Sequence, residues 1–203
     1  MAQQQTTPLS LGTDNLGKLL VRYAVPAIVA TVTSALYNIT DSVFIGQGVG
    51  PLAMTALGIC MPIMSITAAF GAMVGVGGSA LASIRLGQGN KAAAFRILGN
   101  IVLLNLIFGV ATMAGCLLFL DKLLFLFGAS EATIGYAHEY MTILLWGNVV
   151  THLYLGLNAI LRSTGYPTKS MVVMLISVVV NCVLDPLFIF VFKWGIAGSA
   201  YAT

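Results

Sequence analysis

The most restrictive feature of this sequence is the length of its uncharged apolar runs. The run from Ser42 to Ile84 contains no charged residue and is interrupted only by the turn-forming segment Gly46–Pro51. Beyond that turn the run would form about 50 Å of helix, which exceeds the ~30 Å hydrocarbon core of a bilayer. Only 7% of the residues are charged and 59% are hydrophobic, so the chain cannot cover itself with a solvated surface. We therefore predict an all-α integral membrane protein.

The charged residues and turn signals divide the chain into six apolar spans. They are predicted to cover residues 18–45, 52–84, 95–120, 138–162, 169–192 and 195–203. The sixth is too short to cross a bilayer, so we expect the sequence to stop inside a truncated helix. Residues 18–203 would then form one six-helix bundle, preceded by a polar cytoplasmic segment over residues 1–17. That segment has no cleavable secretory pattern, so we expect the first span to be retained.

The distribution of Lys and Arg predicts the orientation of the spans, because cytoplasmic loops carry an excess of these residues. Seven of the nine fall on one predicted side: Lys18, Arg22, Arg85, Lys91, Arg96, Arg162 and Lys169. Only Lys122 and Lys193 fall on the other side. We therefore place the N-terminus in the cytoplasm. The basic residues are interpreted as determinants of topology and not as a patch for nucleic acid.

Apart from Glu139 at the very start of the fourth span, two acidic residues, Asp41 and Asp185, fall inside predicted spans. A carboxylate at the bilayer centre costs about 3 kcal/mol on insertion scales, so its presence indicates function by default. Measured from the cytoplasmic flanks, Asp41 lies about 28 Å and Asp185 about 24 Å along their helices, which run in the same direction. Thr203 lies about 12 Å below the outer end of the sixth span. We therefore expect these three side chains to meet in the outer half of the membrane.

Amides and hydroxyls accompany both carboxylates. Asn38 precedes Asp41 by three residues, and Tyr37 adds a hydroxyl beside it. Asn181 precedes Asp185 by four residues, so in both spans the amide shares a helical face with the carboxylate. Oxygen ligands of this kind suit a hard cation such as Na⁺.

The carboxylate pair allows two further interpretations. It suits a proton as well as Na⁺, because two buried like charges repel each other. It also allows a structural role, in which each Asp bonds a neighbouring side chain and holds helices together.

Three prolines interrupt predicted spans: Pro26, Pro62 and Pro186. Proline removes a backbone donor and bends a helix, and such breaks are tolerated where the backbone lines a cavity or packs against neighbours. Broken helices beside ionisable groups are typical of transport sites. We predict Pro26 and Pro186 as hinges, with a static kink as the alternative at each position.

Other polar residues inside the spans allow more than one role. His152 lies in the fourth span and suits either a proton relay or simple packing. Asn105, Asn148 and Asn158 suit either a cavity lining or bridges between helices. The sequence contains no Gly-rich phosphate loop, metal-ligand cluster or nucleophile elbow. We therefore expect no enzyme.

Five segments together resemble the multidrug and toxic-compound extrusion (MATE) family, in particular its prokaryotic branch that is similar to the DNA-damage-inducible protein. They are Tyr37–Gly46, Arg85–Gly89, Leu161–Lys169, Asn181–Phe190 and Gly195–Thr203. The segments occur in the family's order and at its helix spacing, and the resemblance covers nearly the whole chain.

This resemblance implies a particular architecture and function. Family members have twelve helices in two six-helix lobes, with the substrate cavity between the lobes. The chain would then be the N-terminal lobe and would lack its C-terminal partner. Members export organic cations and other amphipathic compounds in exchange for Na⁺ or H⁺ across the inner (cytoplasmic) membrane of a prokaryote. No cofactor is implied beyond this coupling ion.

The resemblance also assigns roles to individual residues. It places the coupling-ion site, with Na⁺ as one possible occupant, on Asp41, Asn181, Asp185 and Thr203. The bending proline of the first helix falls on Pro26. We further predict that the substrate cavity is lined by Tyr37, Asn38 and Asn158.

Two alternative functions share parts of this pattern. A flippase for a lipid-linked or other amphipathic substrate in the same superfamily would have the same architecture. Its cavity would be expected to carry several cationic residues, whereas every Lys and Arg of this sequence lies near an end of a predicted span or outside the spans. An intramembrane aspartyl protease also needs two membrane carboxylates, but its motifs place Tyr before one and Gly-x-Gly before the other. Here Thr40 and Leu184 precede them, so a secondary transporter is the expectation.

Overall fold

The computed structural model describes residues 15–203, which are helical almost throughout and contain no strand. The helices are α1 (Leu16–Gly48), α2 (Pro51–Gly87), α3 (Lys91–Leu118), α4 (Leu120–Leu126), α5 (Ile134–Ser163), α6 (Pro167–Pro186) and α7 (Gly195–Ala202). A π-helical turn, Leu187–Val191, directly follows α6. By length and composition α1, α2, α3, α5 and α6 with its π-helical turn can each cross a membrane. These observations confirm the predicted all-α membrane class.

The predicted spans correspond to these helices in order. The first three are α1, α2 and α3, the fourth is α5, the fifth is α6 with the π-helical turn, and the sixth is α7. Helix α7 has eight residues, so it is far shorter than a membrane span. Residues 1–14 of the predicted cytoplasmic segment lie outside the described part of the chain.

Local chemistry explains where the long helices begin. The Asn15 side chain accepts a hydrogen bond from the Gly17 N–H at 3.0 Å and caps α1. The Asn90 side chain caps α3 in the same way through the Ala93 N–H at 3.0 Å. Between α1 and α2, Gly50 has a φ of 123°, a conformation that favours glycine, and the proline that follows it starts α2.

The connection after α3 differs from the loop that the sequence predicted. Phe119 leaves the helical conformation and a separate short helix, α4, follows it. Leu120 and Leu124, one turn apart, are buried against the core, whereas the side chain of Asp121 is exposed. Two apolar side chains at this spacing give even a short segment a helical face to bury. The third predicted span therefore ends two residues early.

The fifth predicted span is also divided. Its regular α-helix ends at Pro186, and the next five residues form the π-helical turn. Proline has no N–H to donate within a helix, so the backbone pattern changes where it occurs. The irregular segment directly follows Asp185.

The helices pack as two groups. Helices α2, α3 and α5 contact one another closely, whereas α1 packs chiefly on α6. Helix α7 contacts α5, α6 and α1 and thereby joins the groups. The crossing of α2 and α5 depends on glycine, since a Cβ on Gly75 would lie 2.8 Å from the Cα of Gly156. The backbones of α2 and α5 are therefore in close contact at these glycines, as is common where small residues lie between paired membrane helices.

Candidate functional site

Asp41 is the acidic side chain that α1 brings into the protein interior, with 5% of its surface exposed. The Ser199 hydroxyl of α7 donates a hydrogen bond to its Oδ1 at 2.7 Å. Ser199 is itself fully buried. A hydrogen bond to a carboxylate is about twice as strong as one between neutral groups, so this contact fixes α7 against α1.

Asp185 is fully buried near the end of α6, immediately before the π-helical turn. Neither of its carboxylate oxygens has a hydrogen-bond partner within residues 15–203. One turn earlier, the Asn181 amide nitrogen donates to the Ala202 carbonyl at 2.6 Å, while its Oδ1 has no partner in the same part of the chain. Leaving a buried acceptor unpaired costs about 1–3 kcal/mol, and more for a charged group. The two unpaired oxygens of Asp185 therefore lie about one helical turn from the unpaired Oδ1 of Asn181.

The two carboxylates belong to one site. Asp41 and Asp185 lie within range of a direct electrostatic interaction. The Tyr37 hydroxyl is 3.0 Å from the Thr203 Oγ1 and also interacts with Asn181. The structure therefore brings the four predicted coupling-ion residues together around Tyr37, at the contact of α1, α6 and α7.

The donor set of this site consists of oxygen. Carboxylate, amide and hydroxyl oxygens are preferred by hard cations and are poor ligands for soft ones. Among residues 15–203 no group of three or more His, Cys, Asp or Glu is placed to hold a metal ion. The unpaired oxygens of Asp185 and Asn181 fit a proton or a small monovalent cation.

Two cavities adjoin the site. A small one of about 70 Å³ is lined by residues that include Tyr37, Asp41 and Tyr140. A larger one of about 350 Å³ lies between α1, α2 and α5 and is lined mainly by α2 and α5. Four residues line both cavities: Asn38, Met61, Met64 and Thr203. The carboxylate site and the larger cavity therefore share a wall.

The structure separates the three predicted cavity residues. Tyr37 lines the small cavity and Asn38 lines both, although the Asn38 amide nitrogen donates to the Ser34 carbonyl within α1. Asn158 is not among the lining residues of either cavity. It accepts a hydrogen bond from the Ser170 hydroxyl at 2.7 Å and so connects α5 to α6. Its role in substrate binding stays a prediction.

The two predicted hinges differ in their surroundings. Pro26 is buried inside an otherwise continuous α1. Pro186 ends the regular part of α6 and precedes the π-helical turn. An irregular turn beside an ionisable group is typical of the broken helices of transporters. Their role as hinges stays a prediction.

Sequence reasoning missed two members of the site. Ser199 bonds Asp41 directly, and the fully buried Tyr140 of α5 lies within interaction range of Asp41, Tyr37 and Thr203. The spacing of four between Ser199 and Thr203 was the available signal for the serine, since it puts both hydroxyls on one face of α7. Tyr140 lies near the start of the predicted fourth span, and its interaction with Asp41 joins helices distant in sequence, so no local pattern pointed to it.

These features define a multi-pass membrane protein with a buried carboxylate pair beside an internal cavity, an arrangement typical of transporters. The sequence model of one family, MatE, matches residues 26–187. The chain belongs to the MatE family, which confirms the predicted resemblance.

Similar proteins support this assignment. The multidrug export protein MepA of Staphylococcus haemolyticus is 29% identical over 94% of this chain and 42% of its own length. The outward-facing conformation of a multidrug resistance MATE family transporter superposes with a TM-score of 0.90 and 31% identity, over 99% of this chain and 44% of that one. A MOP superfamily transporter from Pyrococcus furiosus gives a TM-score of 0.90 and 30% identity over the same shares. The chain thus spans less than half the length of these relatives.

Proposed function

We propose that this chain forms the N-terminal half of a cation-coupled exporter of amphipathic organic cations in the inner membrane of a prokaryote. The coupling ion is Na⁺ or H⁺, and it binds at Asp41, Asn181, Asp185 and Thr203. A second lobe of similar size completes the substrate cavity. The supporting observation is the fully buried carboxylate of Asp185, which has no hydrogen-bond partner within residues 15–203 and faces a second carboxylate.

The coupling follows from the repulsion between the two carboxylates. Two negative charges in a low-dielectric site repel strongly, so the pair holds at least one proton or one monovalent cation. Asp41 lies on α1 and Asp185 on α6, the helices of one packing group. Neutralising the pair lets α1 and α6 approach, and loss of the ion drives them apart. Pro26 and Pro186 supply the places where these helices bend.

Ion binding affects the substrate because the carboxylate site and the larger cavity share a wall. Asn38 and Thr203 line that cavity and also line the small cavity beside Asp41. A shift of α1 or α7 therefore changes the shape of the cavity. The ion and the substrate then favour different conformations of the lobe, so binding of one opposes binding of the other.

The cavity lining supports an amphipathic organic cation as the substrate. It is mostly apolar, with Met61, Met64 and Met141 among amide and hydroxyl side chains. Flexible, polarisable methionines accommodate apolar surfaces of different shapes. No Lys or Arg occurs among the described residues that line either cavity, which argues against a lipid pyrophosphate. The Pyrococcus furiosus neighbour is described as having a binding pocket of reversed polarity and a different function, so the fold alone does not fix the substrate.

Dye efflux in proteoliposomes tests this proposal in the full-length transporter that carries this lobe. Asp41→Asn and Asp185→Asn each remove one charge with little change in volume, so each is expected to abolish efflux driven by a Na⁺ or pH gradient. Asp121→Asn is the matched control, because this carboxylate is exposed in α4 and away from the site. It is expected to leave efflux unchanged.

The proposal is wrong if Asp41→Asn and Asp185→Asn transport as well as the parent under both gradients. The carboxylates would then be structural, and the coupling site would lie elsewhere. Unchanged membrane insertion of each variant is required for the comparison.

A further inference from the structure

His152 is fully buried where α5 packs against α2 and α3. Its Nε2 lies 2.9 Å from the Thr67 carbonyl oxygen of α2. A carbonyl oxygen only accepts hydrogen bonds, so Nε2 carries a hydrogen and donates it. The other ring nitrogen, Nδ1, is buried and has no hydrogen-bond partner in the described chain.

Glycines on both neighbouring helices make the space for this ring. A Cβ on Gly71 of α2 would lie 3.1 Å from two ring carbons of His152. A Cβ on Gly109 of α3 would lie 3.6 Å from the His152 Cβ. Packing therefore fixes the position of the imidazole, in addition to its hydrogen bond to Thr67.

A second unpaired acceptor lies in the same interface. Asn105 of α3 is buried, and its amide nitrogen donates to the Ile101 carbonyl at 3.0 Å. Its Oδ1 has no partner among the described residues. A Cβ on Gly156 would clash with the Asn105 amide. Gly156 lies one turn beyond His152 on α5, and Gly109 lies one turn beyond Asn105 on α3. Each of the two polar side chains therefore lies beside a glycine of the other helix. The two side chains are then about one helical turn, roughly 5 Å, apart.

This arrangement offers acceptors to both nitrogens of the ring. The Thr67 carbonyl accepts from Nε2, and the Asn105 Oδ1, about one helical turn away, is a second buried acceptor and has no partner among the described residues. A neutral ring leaves two buried acceptors unpaired, at a cost of about 1–3 kcal/mol each. A proton on Nδ1 converts one of them into a donor and satisfies both, directly or through one water.

Within residues 15–203, no charged side chain holds this proton permanently. Around the ring α2 presents Thr67 and Gly71, α3 presents Asn105 and Gly109, and none of these residues titrates. The described residues include no charged group that acts on His152. Burial without a counter-charge opposes the imidazolium, and the acceptors favour it, so the proton can bind and leave.

We propose that His152 is a second proton-binding site of the lobe, separate from the carboxylate pair. The proton binds at Nδ1 and is shared with the Oδ1 of Asn105. The carboxylate site lies among α1, α6 and α7, whereas this site lies among α2, α3 and α5. Thr67 lines the larger cavity, so the charge state of His152 acts on a residue of that lining.

Nitrogen NMR of labelled histidine tests the proposal without any transport assay. The chain has two histidines, so His138→Ala leaves a single imidazole to observe in residues 1–203 reconstituted in lipid. As the pH falls, the ring is expected to change from the neutral Nε2–H form to one protonated at both nitrogens, while the helical circular dichroism stays constant.

Variants of Asn105 identify the second partner. Asn105→Asp keeps the shape of the side chain and adds a charge, so proton uptake is expected at a higher pH by about one unit or more. Asn105→Leu removes the acceptor, so uptake is expected at a lower pH. Asn158→Leu, on the same helix as His152, is the control, because the Asn158 amide is paired with Ser170, and no shift is expected.

Two results would overturn this assignment. One is an imidazole that keeps the neutral Nε2–H form until the helical signal is lost. The other is proton uptake at the same pH in the parent, Asn105→Asp and Asn105→Leu chains.

Discussion

At the scale of residues, the two carboxylates differ in their partners. Asp41 accepts a hydrogen bond from Ser199, whereas both oxygens of Asp185 lack a partner within residues 15–203. A buried carboxylate without donors needs a proton or a cation more than one that is already bonded. We therefore expect the ion to lie closer to Asp185, beside the open Oδ1 of Asn181.

Replacement of Asn181 separates the two candidate ions. An amide oxygen ligates Na⁺ but carries no proton, so Asn181→Ala is expected to reduce Na⁺-driven dye efflux more than H⁺-driven efflux. Asn100→Ala is the matched control, since Asn100 is exposed on α3 and lies outside both cavity linings. Equal losses under the two gradients would show that the Asn181 oxygen is not an ion ligand.

At the scale of elements, the close pair α2 and α5 supports the wall of the larger cavity. Both helices line that cavity, and their approach depends on facing glycines. A protein interior is close-packed, so an added methyl group at such a contact displaces the backbone.

A pair of alanine variants measures this dependence. Gly75→Ala puts a Cβ 2.8 Å from the Gly156 Cα and is expected to lower the free energy of unfolding by about 1–3 kcal/mol. Gly77→Ala on the same helix meets no described atom within 4 Å and is expected to be neutral or slightly stabilising. Thermal unfolding in detergent gives both values. Equal midpoints for the two variants would contradict a tight crossing at Gly75.

The elements also show how far the sequence could predict the structure. Asp41 and Asp185 were identifiable because a charge inside an apolar run is costly wherever the helices pack. Helix α4 was not, because it depends on which apolar side chains find a neighbour, and Pro186 predicted a break in the fifth span but not its π-helical form. Ser199 and Tyr140 join the site through contacts between helices distant in sequence. A single sequence does not reveal such contacts.

At the scale of the whole molecule, the feature that matters is the larger cavity beside the carboxylate site. The larger cavity has walls from α1, α2 and α5, and the chain spans less than half the length of its relatives. We propose that a second lobe supplies the opposite wall. The orientation of the lobe then decides which side of the membrane the carboxylate site approaches.

Reporter fusions test the predicted orientation. Because Lys and Arg divide seven to two, a reporter fused after Lys91 is expected in the cytoplasm and one fused after Glu131 outside. Activity of an alkaline phosphatase fusion, which requires export, distinguishes the two. The reverse pattern would invert the orientation and put the carboxylates near the cytoplasmic side.

The central claim is that Asp41 and Asp185 do not both stay charged without a cation. Infrared difference spectroscopy of the lipid-reconstituted protein measures this directly, because a protonated carboxyl group has its own C=O stretching band. In Na⁺-free buffer at neutral pH we expect such a band, and we expect its loss in Asp185→Asn and its persistence in Asp121→Asn. If Na⁺ is the coupling ion, adding it removes the band from the parent protein. A Na⁺-free parent without any carboxyl band that depends on Asp185 or Asp41 would contradict the account.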